Sequence, residues 1–144
     1  LMPPYLRFVR GVIDANDLCP ATPAGTPVDA TGCPLSNDPI IPDSATVAGS
    51  AVIGDGTVLG ENVIVRKDVV IGNDVTIGDD TKVRKGAQVG NNVTIGDNTI
   101  IRKNVTIGDG ASIGNDVIIR QGATISPGAI VSDGTIIKKN STFP

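Results

Sequence analysis

The sequence contains no histidine and no tryptophan, and its 144 residues include only one tyrosine, two phenylalanines and two cysteines. Without histidine, the chain lacks the side chain that usually serves as a general base near neutral pH, and zinc sites of the three-histidine type cannot be built. No Ser-His-Asp set, phosphate-binding glycine loop or CxxC motif is present either. These absences predict a protein that is not an enzyme and has no catalytic residues.

Long apolar runs are also missing, so no membrane-spanning segment is predicted. The first ten residues lack the apolar stretch and the small-residue cleavage site of a signal peptide. The formal net charge of -3 argues against nucleic acid as the principal ligand.

What the sequence does contain is an aliphatic or aromatic residue at every sixth position from Ile41 to the C-terminus. Neither a 3.6-residue helix nor a simple strand alternation produces this period, so it predicts a repeat architecture. The positions are Ile41, Val47, Ile53, Leu59, Val65, Ile71, Ile77, Val83, Val89, Ile95, Ile101, Ile107, Ile113, Ile119, Ile125, Val131, Ile137 and Phe143.

The remaining positions of the repeat predict short strands joined by sharp corners. A small or β-branched residue lies two positions before each aliphatic one, which predicts a three-residue strand with both ends pointing inward. The third corner position is almost always Gly, Asn or Asp, the residues that adopt a left-handed backbone most easily.

A second period of eighteen residues predicts the cross-section. The residue after the aliphatic one is usually glycine, but every third time it is basic. One turn therefore consists of three strands and three corners, which predicts a triangular prism of about six coils with equivalent residues about 4.8 Å apart. The basic residues that would form one edge of this prism are Arg66, Arg84, Arg102, Arg120 and Lys138.

Motifs such as Ile71-Gly72-Asn73-Asp74-Val75-Thr76 resemble those of the hexapeptide-repeat left-handed β-helix family, and the resemblance covers residues 41–144. It implies an all-β fold, a left-handed parallel β-helix. Acyltransferases of this family typically use a histidine as general base, and its carbonic anhydrases hold zinc with three histidines. They also commonly carry a protruding loop and a C-terminal helix, neither of which is present in this repeat.

Residues 1–40 differ from the repeat and are predicted to form a separate arm and segment. Residues 11–34 resemble a thrombospondin type 3-like repeat, which implies a Cys19–Cys33 disulfide and a calcium site at Asp14 and Asp17. Further acidic residues of that site are replaced by Leu6, Phe8 and Arg10, and a disulfide-pinned linker without calcium is the alternative. No other cofactor and no metal site are predicted. A disulfide requires an oxidising compartment, so we predict an extracellular or bacterial cell-surface protein, or a periplasmic one.

Two surface features predict self-association. Ile100, Ile118 and Ile136 form an outward apolar column, which predicts a lateral contact unless these residues serve strand propensity alone. Tyr5, Phe8 and Phe143 are predicted to contribute to assembly at the two ends of the β-helix, unless Tyr5 and Phe8 form a plug over the first coil of their own chain. The basic edge would bind polyanions, pair with the acidic edge of another copy, or simply be solvated.

Together these patterns favour a non-catalytic exported structural protein that associates head to tail into a filament or surface fibre, because the last coil leaves backbone groups unpaired. The alternative is a homotrimeric acyltransferase-like or ligand-binding protein that lacks the usual catalytic histidine.

Overall fold

In a computed structural model, residues 37–144 are described, and this part of the chain contains no helix. It forms seventeen strands of two residues each: β1 (Thr46–Val47), β2 (Val52–Ile53), β3 (Val58–Leu59), β4 (Ile64–Val65), β5 (Val70–Ile71), β6 (Thr76–Ile77), β7 (Lys82–Val83), β8 (Gln88–Val89), β9 (Thr94–Ile95), β10 (Ile100–Ile101), β11 (Thr106–Ile107), β12 (Ser112–Ile113), β13 (Ile118–Ile119), β14 (Thr124–Ile125), β15 (Ile130–Val131), β16 (Ile136–Ile137) and β17 (Thr142–Phe143).

Every strand pairs in parallel with the strand three positions along the chain, so the backbone winds into a β-helix. Residues eighteen apart are partners, as in the pair Ile100 and Ile118. The first sheet contains β1, β4, β7, β10, β13 and β16; the second contains β2, β5, β8, β11, β14 and β17; the third contains β3, β6, β9, β12 and β15. Seventeen strands at three per turn give between five and six turns. The predicted left-handed parallel β-helix is thus confirmed.

The core is a column of stacked aliphatic side chains. Most positions of the six-residue period are buried from Leu59 to Ile137, together with the residues two places before them. Ile41, at the start of the repeat, is 42% exposed, and Phe143 is half-buried against the core. A narrow core of this kind explains why large rings are rare in the sequence.

The corners adopt the predicted left-handed conformation. Nine Asn and Asp residues at the third corner position have φ between 53° and 58°, and glycine occupies the other six corners with positive φ. Asn and Asp tolerate this region better than other side chains, because their short polar groups bond locally. The corner prediction therefore holds at every position with positive φ among the described residues.

The strands are two residues long, whereas the sequence predicted three. The residue that precedes each strand is inward and its carbonyl joins the ladder, as Val63 O accepts from Thr46 N. At several corners, however, its N–H closes the corner turn, as Ala87 N donates to Arg84 O. A residue whose N–H bonds within the turn does not donate to the neighbouring strand, so it lies outside the regular ladder of the sheet.

Several predictions concern residues outside the described part of the chain. They are the Cys19–Cys33 disulfide, the calcium ligands Asp14 and Asp17, and the assembly residues Tyr5 and Phe8. Within residues 37–144, no helix has the length and apolarity needed to cross a membrane.

Candidate anion-binding edge

Nine of the ten basic side chains among the described residues lie on one edge of the prism. We call this the basic edge; it lies between the first and second sheets and consists of residues 66–68, 84–86, 102–104, 120–122 and 138–140. Strand register places equivalent positions of successive coils above one another, because the strands before each corner pair directly. The basic residues of this edge are Arg66, Lys67, Arg84, Lys85, Arg102, Lys103, Arg120, Lys138 and Lys139.

The basic edge is exposed and carries little compensating charge. All nine basic residues are exposed. One ion pair is present in the described chain, between Lys85 Nζ and Asp68 Oδ2 at 3.5 Å, and both side chains are more than half exposed. Two like charges a coil apart repel by up to about 1 kcal/mol in water. The edge therefore concentrates positive potential along a line, in a chain whose net charge is negative.

Two shallow depressions lie along this edge. The first, of about 200 Å³, is lined by Ile64, Arg66, Lys82, Val83 and Arg84. The second, of about 230 Å³, lies between basic side chains and is lined by Arg84, Arg102, Lys103 and Gln121. Basic side chains line both, and the first also touches the apolar surface of the first sheet.

That apolar surface is the outward column of the first sheet. Ile64, Ile100 and Ile118 are half-buried, and Ile136 is 54% exposed. Lys82, the tenth basic residue, interrupts the column between Ile64 and Ile100. This face has the basic edge on one side and, on the other, the acidic edge, which we define as residues 60–62, 78–80, 96–98, 114–116 and 132–134.

The acidic edge differs from the basic edge in its hydrogen bonding. Its tip side chains accept backbone N–H groups from the coil before, as Asp97 Oδ1 accepts from Asp79 N at 2.9 Å. Ser44 Oγ also donates to Glu61 Oε2. Carboxylates occupied in this way are less available to a cation. No group of three or more potential metal-ligating side chains occurs among residues 37–144.

The structure brings some predicted site residues together and separates others. Arg66, Arg84, Arg102, Arg120 and Lys138 share one edge, and Ile100, Ile118 and Ile136 share one sheet face. Phe143 lies in β17 on the second sheet, opposite Ile125. Gln121, the uncharged tip residue in the fourth coil of the basic edge, was not singled out from the sequence. Its position eighteen residues after Lys103 is the signal that could have identified it.

Comparison with known proteins supports the repeat assignment. A family model described as bacterial transferase hexapeptide (six repeats) matches residues 68–103 and 92–127. A search of curated proteins gave no significant match.

Several solved structures resemble the chain. A hexapeptide transferase family protein from Anaplasma phagocytophilum is 24% identical, with a TM-score of 0.62, and the match covers 72% of this chain and 68% of that one. A UDP-N-acetylglucosamine O-acyltransferase from Moraxella catarrhalis is 23% identical, with a TM-score of 0.51 and coverage of 73% and 58%. PerB from Caulobacter crescentus, in complex with CoA and GDP-perosamine, is 27% identical with a TM-score of 0.45 and coverage of 79% and 54%. The chain thus spans just over half the length of the latter two.

These findings contradict two predictions from the sequence. The non-catalytic exported fibre protein and the absence of enzymatic activity are both wrong, because the repeats match the model of a bacterial transferase family. The alternative, an acyltransferase-like protein, is better supported. The prediction failed because we gave the absence of histidine more weight than the repeat itself.

The fold and the repeat assignment agree over the central coils. Residues 68–127 match the family model, and the same eighteen-residue register continues through the described coils on both sides of them. The central coils of this β-helix are therefore hexapeptide repeats of the bacterial transferase type.

Proposed function

We propose that this chain is the β-helical part of a homotrimeric acyltransferase that holds an anionic substrate along its basic edge. The observation that carries the binding role is the collection of nine of the ten described basic side chains on one edge, with a single exposed ion pair among them. The transfer role is supported by the family to which the repeats belong.

The homotrimer is supported by the apolar column of the first sheet. Ile118 is half-buried and Ile136 is 54% exposed in the single chain. Removing such side chains from water stabilises a contact by roughly 25 cal/mol per Å² of apolar surface. The column is continuous from Ile100 to Ile136. We therefore assign it to the contact between copies.

The transfer chemistry moves an acyl group from a donor to a hydroxyl or amine. The sequence has no histidine to take the proton from the acceptor. We therefore assign binding roles to the basic edge and no base to any residue.

Acetyl-CoA turnover tests the proposal, measured as CoA release with an amino sugar or a polysaccharide as acceptor. We expect acceptor-dependent release, and we expect the double variant Arg84→Gln/Arg102→Gln to lower kcat/KM by about tenfold or more, because each charged contact contributes about 1.5–3 kcal/mol. The control Thr94→Gln changes an exposed side chain of the third sheet, away from the basic edge, and should leave kcat/KM within about twofold.

Sedimentation of the same preparation tests the assembly. We expect a trimer, and a shift toward monomer in Ile118→Lys, which places a charge in the apolar column. Anion binding without CoA release would contradict the transfer role. Neither binding nor release, in a protein that is folded by circular dichroism, would contradict the whole proposal.

A further inference from the structure

The basic edge leaves a column of backbone donors without acceptors. On the other two edges, seven tip N–H groups donate to the Oδ1 atom of an Asn or Asp one coil further on, as Asn73 N does to Asn91 at 2.9 Å. On the basic edge, the tip N–H groups of Lys67, Lys85, Lys103 and Gln121 have no acceptor among the described residues. Unpaired donors in a row are available to an anion.

The residues at the tip and first corner positions explain the difference. On the other edges the tip of the next coil is usually Asn or Asp, and glycine at the first corner position lets its oxygen reach the backbone, since a Cβ on Gly72, for example, would lie 2.6 Å from Asn91 Oδ1. On the basic edge the first position is arginine or lysine, and the tips of the following coils are Lys85, Lys103, Gln121 and Lys139. Lysine carries no acceptor oxygen, so the chain does not satisfy these donors by itself.

The repetition of the edge indicates the shape of the ligand. Guanidinium, ammonium and N–H donors recur at each coil, about 4.8 Å apart, and the five coils from Arg66 to Lys138 extend about 19 Å. A compact anion would contact one or two coils and leave the positive charge of the other coils uncompensated. A linear polymer with one anionic group per unit, lying parallel to the prism axis, would contact every coil.

Two observations restrict the chemical class of the polymer. Phe143 is the only aromatic residue among the described ones, and it lies in β17 and not on the edge, so no rings are available to stack on nucleic-acid bases. Sugar rings in an extended chain advance by nearly the spacing of β-strands, so one carboxylate per sugar would match one coil. The acidic edge of a second copy fits less well, because the Oδ1 atoms of Asp79, Asp97 and Asp133 already accept N–H groups.

We propose that the basic edge binds an extended acidic polysaccharide along the prism axis, over at least three coils, through its Arg and Lys side chains and the free tip N–H groups. This inference rests on the proposed function and names the acceptor class of its substrate. Binding itself requires no acyl transfer, so the two are separable by experiment.

Length dependence is the first test, with the full chain and oligogalacturonates of two, four and six sugars measured by calorimetry. We expect affinity to rise with each length, by about tenfold or more overall, and to fall as salt is raised. A methyl-esterified hexamer, which is neutral, should not bind. Equal affinity for all lengths, or tighter binding of a single-stranded oligonucleotide of matched charge, would overturn the proposal.

Gln121 allows the backbone donor to be tested without changing charge. Gln121→Pro removes the tip N–H, whereas Gln121→Ala keeps it. Proline suits the position, because the next residue, Gly122, has φ of 71°, as in a turn that favours proline before it, and Pro127 occupies the equivalent tip of another edge. Both variants remove the glutamine side chain, so we expect hexamer binding to be several-fold weaker in the proline variant than in the alanine variant. Equal affinity of the two variants for the hexamer, at equal melting temperature, would show that the tip N–H groups do not contribute to binding.

The remaining outcomes separate this inference from the proposed function. Hexamer binding without CoA release supports the inference and contradicts acyl transfer. CoA release without hexamer binding supports the proposed transferase activity and overturns the inference that the edge binds a polysaccharide. If Arg102→Glu changes the oligomeric state and the wild-type chain does not bind the hexamer, the edge is a contact between copies, which also overturns it.

Discussion

At the residue scale, three buried threonines tie neighbouring coils together inside the core. Thr57, Thr81 and Thr99 are fully buried, and each hydroxyl donates to a carbonyl fifteen residues ahead and accepts an N–H eighteen residues ahead. Thr99 Oγ1 donates to Gly114 O at 3.0 Å and accepts from Val117 N at 3.3 Å. A hydroxyl is tolerated in this apolar column because both of its hydrogen-bonding roles are filled.

The substitution Thr99→Val tests this role. Valine has nearly the same shape, but it leaves the N–H of the buried residue Val117 without an acceptor, so we expect a loss of about 1–3 kcal/mol in the free energy of unfolding. Thr106→Val is the control, since Thr106 points outward on the second sheet, and it should change stability by less than about 0.5 kcal/mol. Denaturant unfolding measures both. Equal effects would show that the internal hydrogen bonds contribute nothing beyond strand propensity.

At the element scale, the corner is the unit that distinguishes one edge from another. Glycine at the first corner position allows the Asn or Asp of the next coil to approach the backbone, which links coils on two edges. On the third edge the first position is arginine or lysine and the tip is lysine or glutamine, which leaves an open, charged corner. The first two positions of the corner therefore decide together whether it bonds to its neighbour or to something outside the chain.

The substitution Gly72→Ala tests the corner. Its Cβ would lie 2.6 Å from Asn91 Oδ1 and 2.8 Å from the backbone of Gly90, so both must move. We expect a loss of about 1–3 kcal/mol in unfolding free energy, measured by thermal melting. Gly49→Ala is the matched control, because nothing lies within 4 Å of the added atom, and its melting temperature should be unchanged. An unchanged melting temperature in Gly72→Ala would mean that the hydrogen bonds between coils at this corner can rearrange without loss of stability.

At the scale of the whole molecule, function depends on the eighteen-residue register. Each coil contacts only its neighbours, so a complete turn can be removed while the others keep their contacts. Removing six residues, by contrast, preserves the inward pattern but moves all later residues to the next face. The basic edge would then be divided between two edges.

Two deletions test this dependence. Deleting residues 81–98 removes one turn and keeps the remaining basic corners in one column, whereas deleting residues 93–98 separates Arg66 and Arg84 from Arg102, Arg120 and Lys138. We expect both variants to show β-sheet circular dichroism, and only the six-residue deletion to lose about tenfold or more in affinity for the oligogalacturonate hexamer. Similar affinity in the two would show that an aligned basic edge is not required.

Much of the site could be recognised from the sequence, because it follows from the same period as the fold. The spacing of Arg66, Arg84, Arg102, Arg120 and Lys138 by eighteen placed them on one edge, and the column from Ile100 to Ile136 followed in the same way. The free N–H groups were not predicted, because the sequence does not show that the tips of the other edges bond to the backbone of the neighbouring coil; with that contact known, the lysine tips explain the free groups. The fibre hypothesis failed because the absence of histidine excludes one mechanism and says little about the family.

The sequence by itself determined the coil. A period of six with aliphatic residues inward and Gly, Asn or Asp at each corner permits one way of burying the apolar side chains, and the eighteen-residue spacing of basic residues sets three faces per turn. Only the tertiary structure decided which edge is closed and which is open. That outcome depends on contacts between atoms eighteen residues apart, because a tip N–H is satisfied only where glycine lets the Asn or Asp oxygen of the next coil reach the backbone.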